Sequence, residues 1–204
     1  RDFFICPEPK GERTMNIRPT AAEAAAFAQS GQYRCLPVSI EILADVKTPI
    51  EVLRILQNVS GHCFLLESAE DNKQWGRYTF LGFEPKLELA CLNGTVYQNG
   101  SPVACAHPND AIRAVLAENK SPRLPYLPPF AGGLVGYFAY DYIKYFEPTL
   151  NLDAKDTEGF RDVDLMLFDK LIAFDNLRQK IILIVNMPLD DVETNYPAAV
   201  RELH

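Results

Sequence analysis

Polar and apolar positions change period several times along this chain, and each change marks an element. Thr20-Ala21-Ala22-Glu23 has the spacing of a capping box, in which hydroxyl and carboxylate each satisfy a free amide at the start of a helix. The Ala-rich run behind it predicts a surface helix that stops at Gly31. Over residues 35–43 the period falls toward two, which predicts a strand. Thr48-Pro49-Ile50-Glu51 repeats the capping pattern with proline at the first helical position, and Val52, Leu53 and Leu56 supply an apolar stripe, so a second helix follows.

Strand-like stretches then come in quick succession, over residues 62–68, 77–82, 86–92 and 95–98. Asn93-Gly94 between the last two is a strong hairpin signal, because both central residues of such a turn take positive φ. Residues 108–119 have helical spacing, and 121–129, with prolines at 122, 125, 128 and 129, predict an extended connector at a fold boundary or lobe crossing. A Gly-rich strand is expected over 132–140 and one long strand over 163–174. Its partner lies over 180–187, across a turn at Asp175-Asn176-Leu177-Arg178, and a closing helix spans 190–203. Helices mixed with antiparallel strands predict the α+β class, antiparallel β-sheets in a sandwich-like arrangement with flanking helices.

Composition narrows the class. The 204 residues are 48% hydrophobic, enough to fill the core of one domain. A formal net charge of -7 without any cluster of Lys and Arg argues against a nucleic-acid partner, because a phosphate backbone calls for grouped cations. The longest apolar run, residues 181–185, falls far short of the roughly 20 residues a membrane span needs, so no membrane partner is expected. Residues 1–14 lack the apolar core of a secretory signal. Met15 reads as a natural start, with 1–14 as an upstream or expression-derived extension and 15–204 as the folded domain. The five cysteines (Cys6, Cys35, Cys63, Cys91, Cys105) are odd in number and not spaced as zinc or redox pairs, which predicts reduced, mostly packed thiols in a cytoplasmic protein. The N-x-[ST] triplets at Asn58, Asn93 and Asn99 are read as chance matches in a chain without a signal.

Candidate chemistry is sparse. His62, His107 and His204 each lack a Cys or carboxylate at catalytic or metal-ligand spacing. Asp162, Asp164 and Asp169 form a carboxylate group, but Asp162 and Asp164 alternate with Val163 and Leu165 and so are expected on the wet face of a half-buried strand. The sequence holds no P-loop, G-x-G-x-x-G or G-x-S-x-G. No catalytic residue and no metal ligand is expected.

Two regions stand out. Phe64-Leu65-Leu66-Glu67-Ser68 runs an apolar strand into a carboxylate and a hydroxyl, and Gly76-Arg77-Tyr78-Thr79-Phe80-Leu81-Gly82 follows it. Further on comes Gly132-Gly133-Leu134-Val135-Gly136-Tyr137-Phe138-Ala139-Tyr140-Asp141. In order and spacing these resemble the N-terminal region of anthranilate synthase component I, whose pattern reads approximately L-L-E-S, then G-R-Y-S-F-[LIV]-G, then G-G-x-x-G-Y-x-x-Y-D. Thr79 stands where that family usually has Ser, which keeps the hydroxyl.

The resemblance implies a function. Full-length members convert chorismate to anthranilate and pyruvate, using Mg²⁺ and ammonia from a glutamine amidotransferase subunit, component II. Their chorismate and metal residues lie in a C-terminal domain, so residues 15–204 are expected to be the regulatory N-terminal domain, without that catalytic domain and without a cofactor of their own. The family's feedback inhibitor, L-tryptophan, binds between the domains with L-L-E-S on the N-terminal side. Leu66, Glu67, Ser68 and Arg77 are therefore the candidate tryptophan residues. Gly132, Gly133, Gly136, Tyr137, Tyr140 and Asp141 are read as architectural, near the domain junction.

Elementary recognition chemistry fits that assignment. A free amino acid needs an acceptor for its ammonium, a donor for its carboxylate and an apolar wall, which Glu67, Arg77 with Ser68, and Leu66 supply in turn. In a regular strand Cys63, Leu65 and Glu67 point one way and Phe64, Leu66 and Ser68 the other. Ser68 is accordingly expected to face the ligand, with Glu67 contributing through its main chain. A plainer reading makes Glu67 and Ser68 the end of a strand and Arg77 an exposed sheet residue. Two other functions stay open at this point: the N-terminal domain of aminodeoxychorismate synthase component I, in the folate pathway, and a stand-alone small-ligand-binding module. A regulatory half should expose an apolar docking surface that a stand-alone module lacks.

Overall fold

The computed structural model describes residues 16–45, 47–67, 76–147, 149–150 and 158–204. The expectations for residues 1–14, Cys6, Met15 and Ser68 lie outside the described residues.

Both capping boxes form. The Thr20 and Glu51 pairs with Glu23 and Thr48 close the first turns of α1 (Ala21–Ser30) and α2 (Pro49–Leu56), and Gly31 ends α1 at φ 63°. The strands are β1 (Cys35–Leu43), β2 (Cys63–Glu67), β3 (Tyr78–Phe83), β4 (Leu87–Leu92) and β5 (Thr95–Gln98), followed by β6 (Ser101–Val103) and the helix α3 (Pro108–Glu118). Then come β7 (Gly133–Phe138), β8 (Val163–Phe168), β9 (Lys170–Asp175), β10 (Lys180–Pro188) and the closing helix α4 (Val192–Leu203). They build two five-stranded sheets, in the orders β1-β10-β9-β3-β2 and β6-β5-β4-β8-β7, with every pairing antiparallel. The architecture is α+β, as expected.

Apolar alternation decides how the layers stack. On one face of the first sheet Leu36, Val38, Ile40 and Met187 pack with Ala24 of α1 and with Ala199 and Leu203 of α4. Farther along the same face, Leu65, Leu81, Phe174 and Ile181 meet Val52, Leu53 and Leu56 of α2. The opposite face, carrying Leu171, Ala173, Ile182 and Ile184, receives Phe64, Phe80, Leu127, Phe130 and Ala131. Leu89, Cys91, Val96, Val163 and Leu165 of the second sheet form a separate core with Ile112 of α3 and Tyr142. The proline-rich connector is packed into this arrangement, Leu124 against the α1 and α4 side and Leu127 against the opposite face.

Three features differ from expectation. The long strand expected over 163–174 is two strands, broken at Asp169, and each half joins a different sheet. Apolar residues continue across the break, with Phe168 and Leu171 both buried, so hydrophobic pattern alone carries no punctuation there. The exposed β6 was not expected; it returns from the Asn99-Gly100 turn, whose residues both have positive φ. A 3-10 helix over Tyr140–Tyr145 follows β7. His107 ties it to α3: its Nδ1 accepts the Asn109 amide at 3.0 Å, which leaves Nε2 to donate to the Tyr145 carbonyl at 2.6 Å.

Candidate functional site

The strand β2 lies at the edge of the first sheet, paired with β3 in a register that sets Leu66 opposite Phe80 and Glu67 opposite Thr79. Alternation works as the sequence implied. Cys63 and Leu65 face α2, while Phe64 lies on the opposite side. Leu66 shares the Phe64 side and is 47% exposed; Glu67 shares the α2 side and is also exposed.

Leu66, paired with Phe80, shares its face of the sheet with a run of rings. Phe64 meets Phe168 at 4.8 Å and Phe130 at 6.3 Å between centroids, Phe130 meets Phe80 at 5.6 Å, and Phe80 meets Tyr78 at 5.8 Å. Gly82 explains part of the second motif, because a Cβ there would collide with the Phe64 ring. Thr79 is buried on the helix-covered side, where its hydroxyl takes a 3.4 Å bond from Asn176 Nδ2. The departure from Ser therefore keeps the group that is used.

Arg77 precedes β3 and grips Asp175 in a two-pronged pair, Nε to Oδ1 at 3.0 Å and Nη2 to Oδ2 at 2.6 Å. Its guanidinium also lies 4.7 Å from the centre of the Tyr78 ring. Burial pushes the Asp175 carboxyl up, but Arg77 and the Arg178 and Leu177 amides more than offset it and hold the group below the usual carboxylate range. The pair uses two of the five guanidinium donors. The β2–β3 pairing thus brings Leu66, Glu67 and Arg77 to one end of the sheet.

The Gly-rich motif lies at the edge of the second sheet. At Gly136, with φ 156°, a Cβ would run into the Asp164 carbonyl of the neighbouring strand. Gly132 lies against the Asn186 carboxamide and Gly133 against the Phe130 ring. Tyr137, Phe138 and Tyr140 are 43%, 51% and 95% exposed, and Asp141 is half-buried in the 3-10 helix. With exposed Ile143, Phe146 and Phe160 they make this end of the molecule rich in apolar surface.

Asp162 corrects the sequence reading. It is 5% exposed and bonds Lys144 Nζ at 2.6 Å and the Tyr145 hydroxyl at 2.7 Å. Its backbone N–H donates to the Cys91 carbonyl just before β8 begins, so it falls outside the alternation that places Asp164, paired with Arg161, on the other side. Asp169 sits at the passage between sheets, where burial pushes its carboxyl up. The partners of Asp162 are 17 and 18 residues away, beyond any local signal. Among the described residues no three His, Cys, Asp or Glu side chains are grouped in a way that could hold a metal ion. Nor is any helix of the described residues long and apolar enough to cross a membrane.

Comparison with known proteins adds the family context. Residues 61–202 match the sequence model of a family described as chorismate binding enzyme. Anthranilate synthase component 1 of Acetivibrio thermocellus is 36% identical over 190 residues, 91% of this chain and 38% of that protein. The protein of the same name from Acinetobacter calcoaceticus is 36% identical over 180 residues, 84% of this chain and 36% of its own length. The crystal structure of anthranilate synthase component I from Streptococcus pneumoniae TIGR4 superposes with a TM-score of 0.53 at 29% identity, covering 79% of this chain and 34% of that one. The chain spans little more than a third of the length of these relatives.

Proposed function

This chain belongs to the chorismate-binding enzyme family, and from that premise we propose that it is the regulatory N-terminal part of an anthranilate synthase component I that senses L-tryptophan. The observation that carries the reading is the end of the β2–β3 pair, where exposed Leu66 lies opposite Phe80 of a run of aromatic rings and Glu67 and Arg77 are brought to the same end of the sheet. An indole ring gains most from an aromatic and aliphatic wall, and Leu66 with Phe80 and Tyr78 offers one. The ammonium of the ligand meets the main chain at Glu67. Its carboxylate meets Ser68 and the donors of Arg77 that Asp175 does not use.

Such a site is half of a pocket. In this reading the other wall comes from a C-terminal chorismate-binding domain docked on the surface around Tyr137, Phe138 and Tyr140. That domain would convert chorismate to anthranilate and pyruvate, with its own Mg²⁺ and with ammonia from an amidotransferase subunit. Tryptophan held between the two parts then lowers chorismate affinity by biasing how they are oriented, a coupling that acts equally in both directions.

The test is an equilibrium titration with L-tryptophan, first of this chain alone and then of the full-length polypeptide. Weak binding to the chain and at least about tenfold tighter binding to the whole are expected, because half a pocket forfeits roughly half its contacts. Equal affinity in the two would make the chain a complete receptor and overturn the shared-pocket reading.

A further inference from the structure

We infer that the Asp175-Asn176 turn is the positioning element of the tryptophan site, an inference that rests on the function proposed above. The turn belongs to the β9–β10 hairpin, which shares no sequence motif with β2 or β3, yet it holds the start of β3 from several sides. Asp175, 2% exposed, gives both carboxylate oxygens to the Arg77 fork. Its Oδ1 also accepts the Leu177 and Arg178 amides at 3.2 and 3.1 Å, which fixes the carboxylate itself. The Asn176 amide donates to the Arg77 carbonyl at 2.9 Å, and the Asn176 carboxamide reaches the Gly76 carbonyl at 3.5 Å and the Thr79 hydroxyl at 3.4 Å. One two-residue turn therefore contacts three residues of the motif, one of them through both backbone and side chain.

Location gives this clasp its meaning. Glu67 is the last residue of β2 and pairs with Thr79, while Arg77 directly precedes β3. Stability of the fold does not by itself call for a buried ion pair here, since apolar replacements of such pairs are often neutral or stabilising. Orientation does call for it. Two fixed oxygens lock the plane of a guanidinium, and a locked fork binds a ligand carboxylate without first losing its own rotational freedom. Asp175 and Asn176 would then touch no ligand atom and act through Arg77 and Gly76.

The experiment compares tryptophan inhibition of the full-length enzyme with its basal kinetics and melting temperature in four variants. Asp175→Asn keeps an acceptor for the turn amides but loses the second guanidinium oxygen. Arg77→Lys keeps the charge and loses the fork, and Asn176→Ala removes no charge. Ser68→Ala probes the site itself. The inference expects the tryptophan concentration for half inhibition to rise about tenfold in Asp175→Asn and Arg77→Lys and several-fold in Asn176→Ala, with kcat and KM for chorismate within about twofold of the parent in Asp175→Asn and Asn176→Ala. A lower melting temperature with unchanged half inhibition in Asp175→Asn would assign the clasp to folding alone and overturn the inference. Should that variant not fold, Asn176→Ala decides by the same two outcomes. If Ser68→Ala raises half inhibition while the turn variants do not, only this inference fails; if Ser68→Ala has no effect either, the tryptophan reading fails with it.

Discussion

The backbone N–H and the carboxamide of Asn186 both reach the carbonyl of Asp169, at 2.8 and 3.2 Å, and pin the point where the chain passes from one sheet to the other. The same carboxamide donates to the Ala131 carbonyl at 2.5 Å, so one side chain joins the sheet passage to the end of the proline-rich connector. Asn186→Leu fills a similar volume and leaves the Ala131 carbonyl unpaired. It should cost about 1 to 3 kcal/mol, read as a lower denaturant midpoint. A midpoint equal to that of the parent would show that the junction is held by packing alone.

Gly136 is the glycine of the third motif with the least room. Gly136→Ala drives a methyl into the Asp164 carbonyl of β8 at a φ that residues with side chains rarely adopt. A loss of about 2 to 4 kcal/mol is expected, since both backbone strain and a clash with unyielding backbone contribute. Thermal unfolding of the variant measures it, and a shift of the midpoint by less than a degree would speak against the close approach.

Two buried carboxylates set the acid limit. Burial raises the Asp162 carboxyl, but the bonds from Lys144 and Tyr145 outweigh it, so the group titrates below the usual range, as Asp175 does. A folded pKa below the unfolded value near 3.9 gives stability that is present above about pH 4 and lost as pH falls through the folded value. Asp169, raised by burial, works in the opposite sense and gains stability as its carboxyl protonates. Urea midpoints at pH 7 and pH 3 should therefore differ less in Asp162→Asn than in the parent, although the variant is weaker at pH 7. An identical acid loss in both would remove Asp162 from the account.

The surface around β7 predicts behaviour in solution. A chain with Tyr137, Phe138 and Tyr140 exposed should bind a hydrophobic dye. Replacing all three by Ser should abolish most of that fluorescence while leaving the melting temperature within about a few degrees, because exposed side chains contribute little to the core. Dye binding that survives the triple change would locate the sticky surface elsewhere.

Most helices and hairpins were legible because each carries its own local chemistry. Thr20 with Glu23, Thr48 with Glu51, and Asn93 with Gly94 act within four residues of one another. The passage at Asp169 was not legible, because its determinants are the distant Asn186 and a register that only the assembled sheets define. The same limit applies at the candidate site. Alternation along β2 separates Leu66 from Glu67 in sequence and structure alike, but the partner of Arg77 is 98 residues away, and nothing near either residue announces it.

The proposed tryptophan site of Leu66, Glu67, Ser68 and Arg77, shared with a catalytic domain, is tested most directly by inhibition of the full-length protein. With Ser68→Ala the account predicts chorismate turnover close to the parent and a tryptophan concentration for half inhibition at least about tenfold higher, the factor expected when one hydrogen bond to a charged group is removed. An inhibition curve that superposes on that of the parent would contradict it.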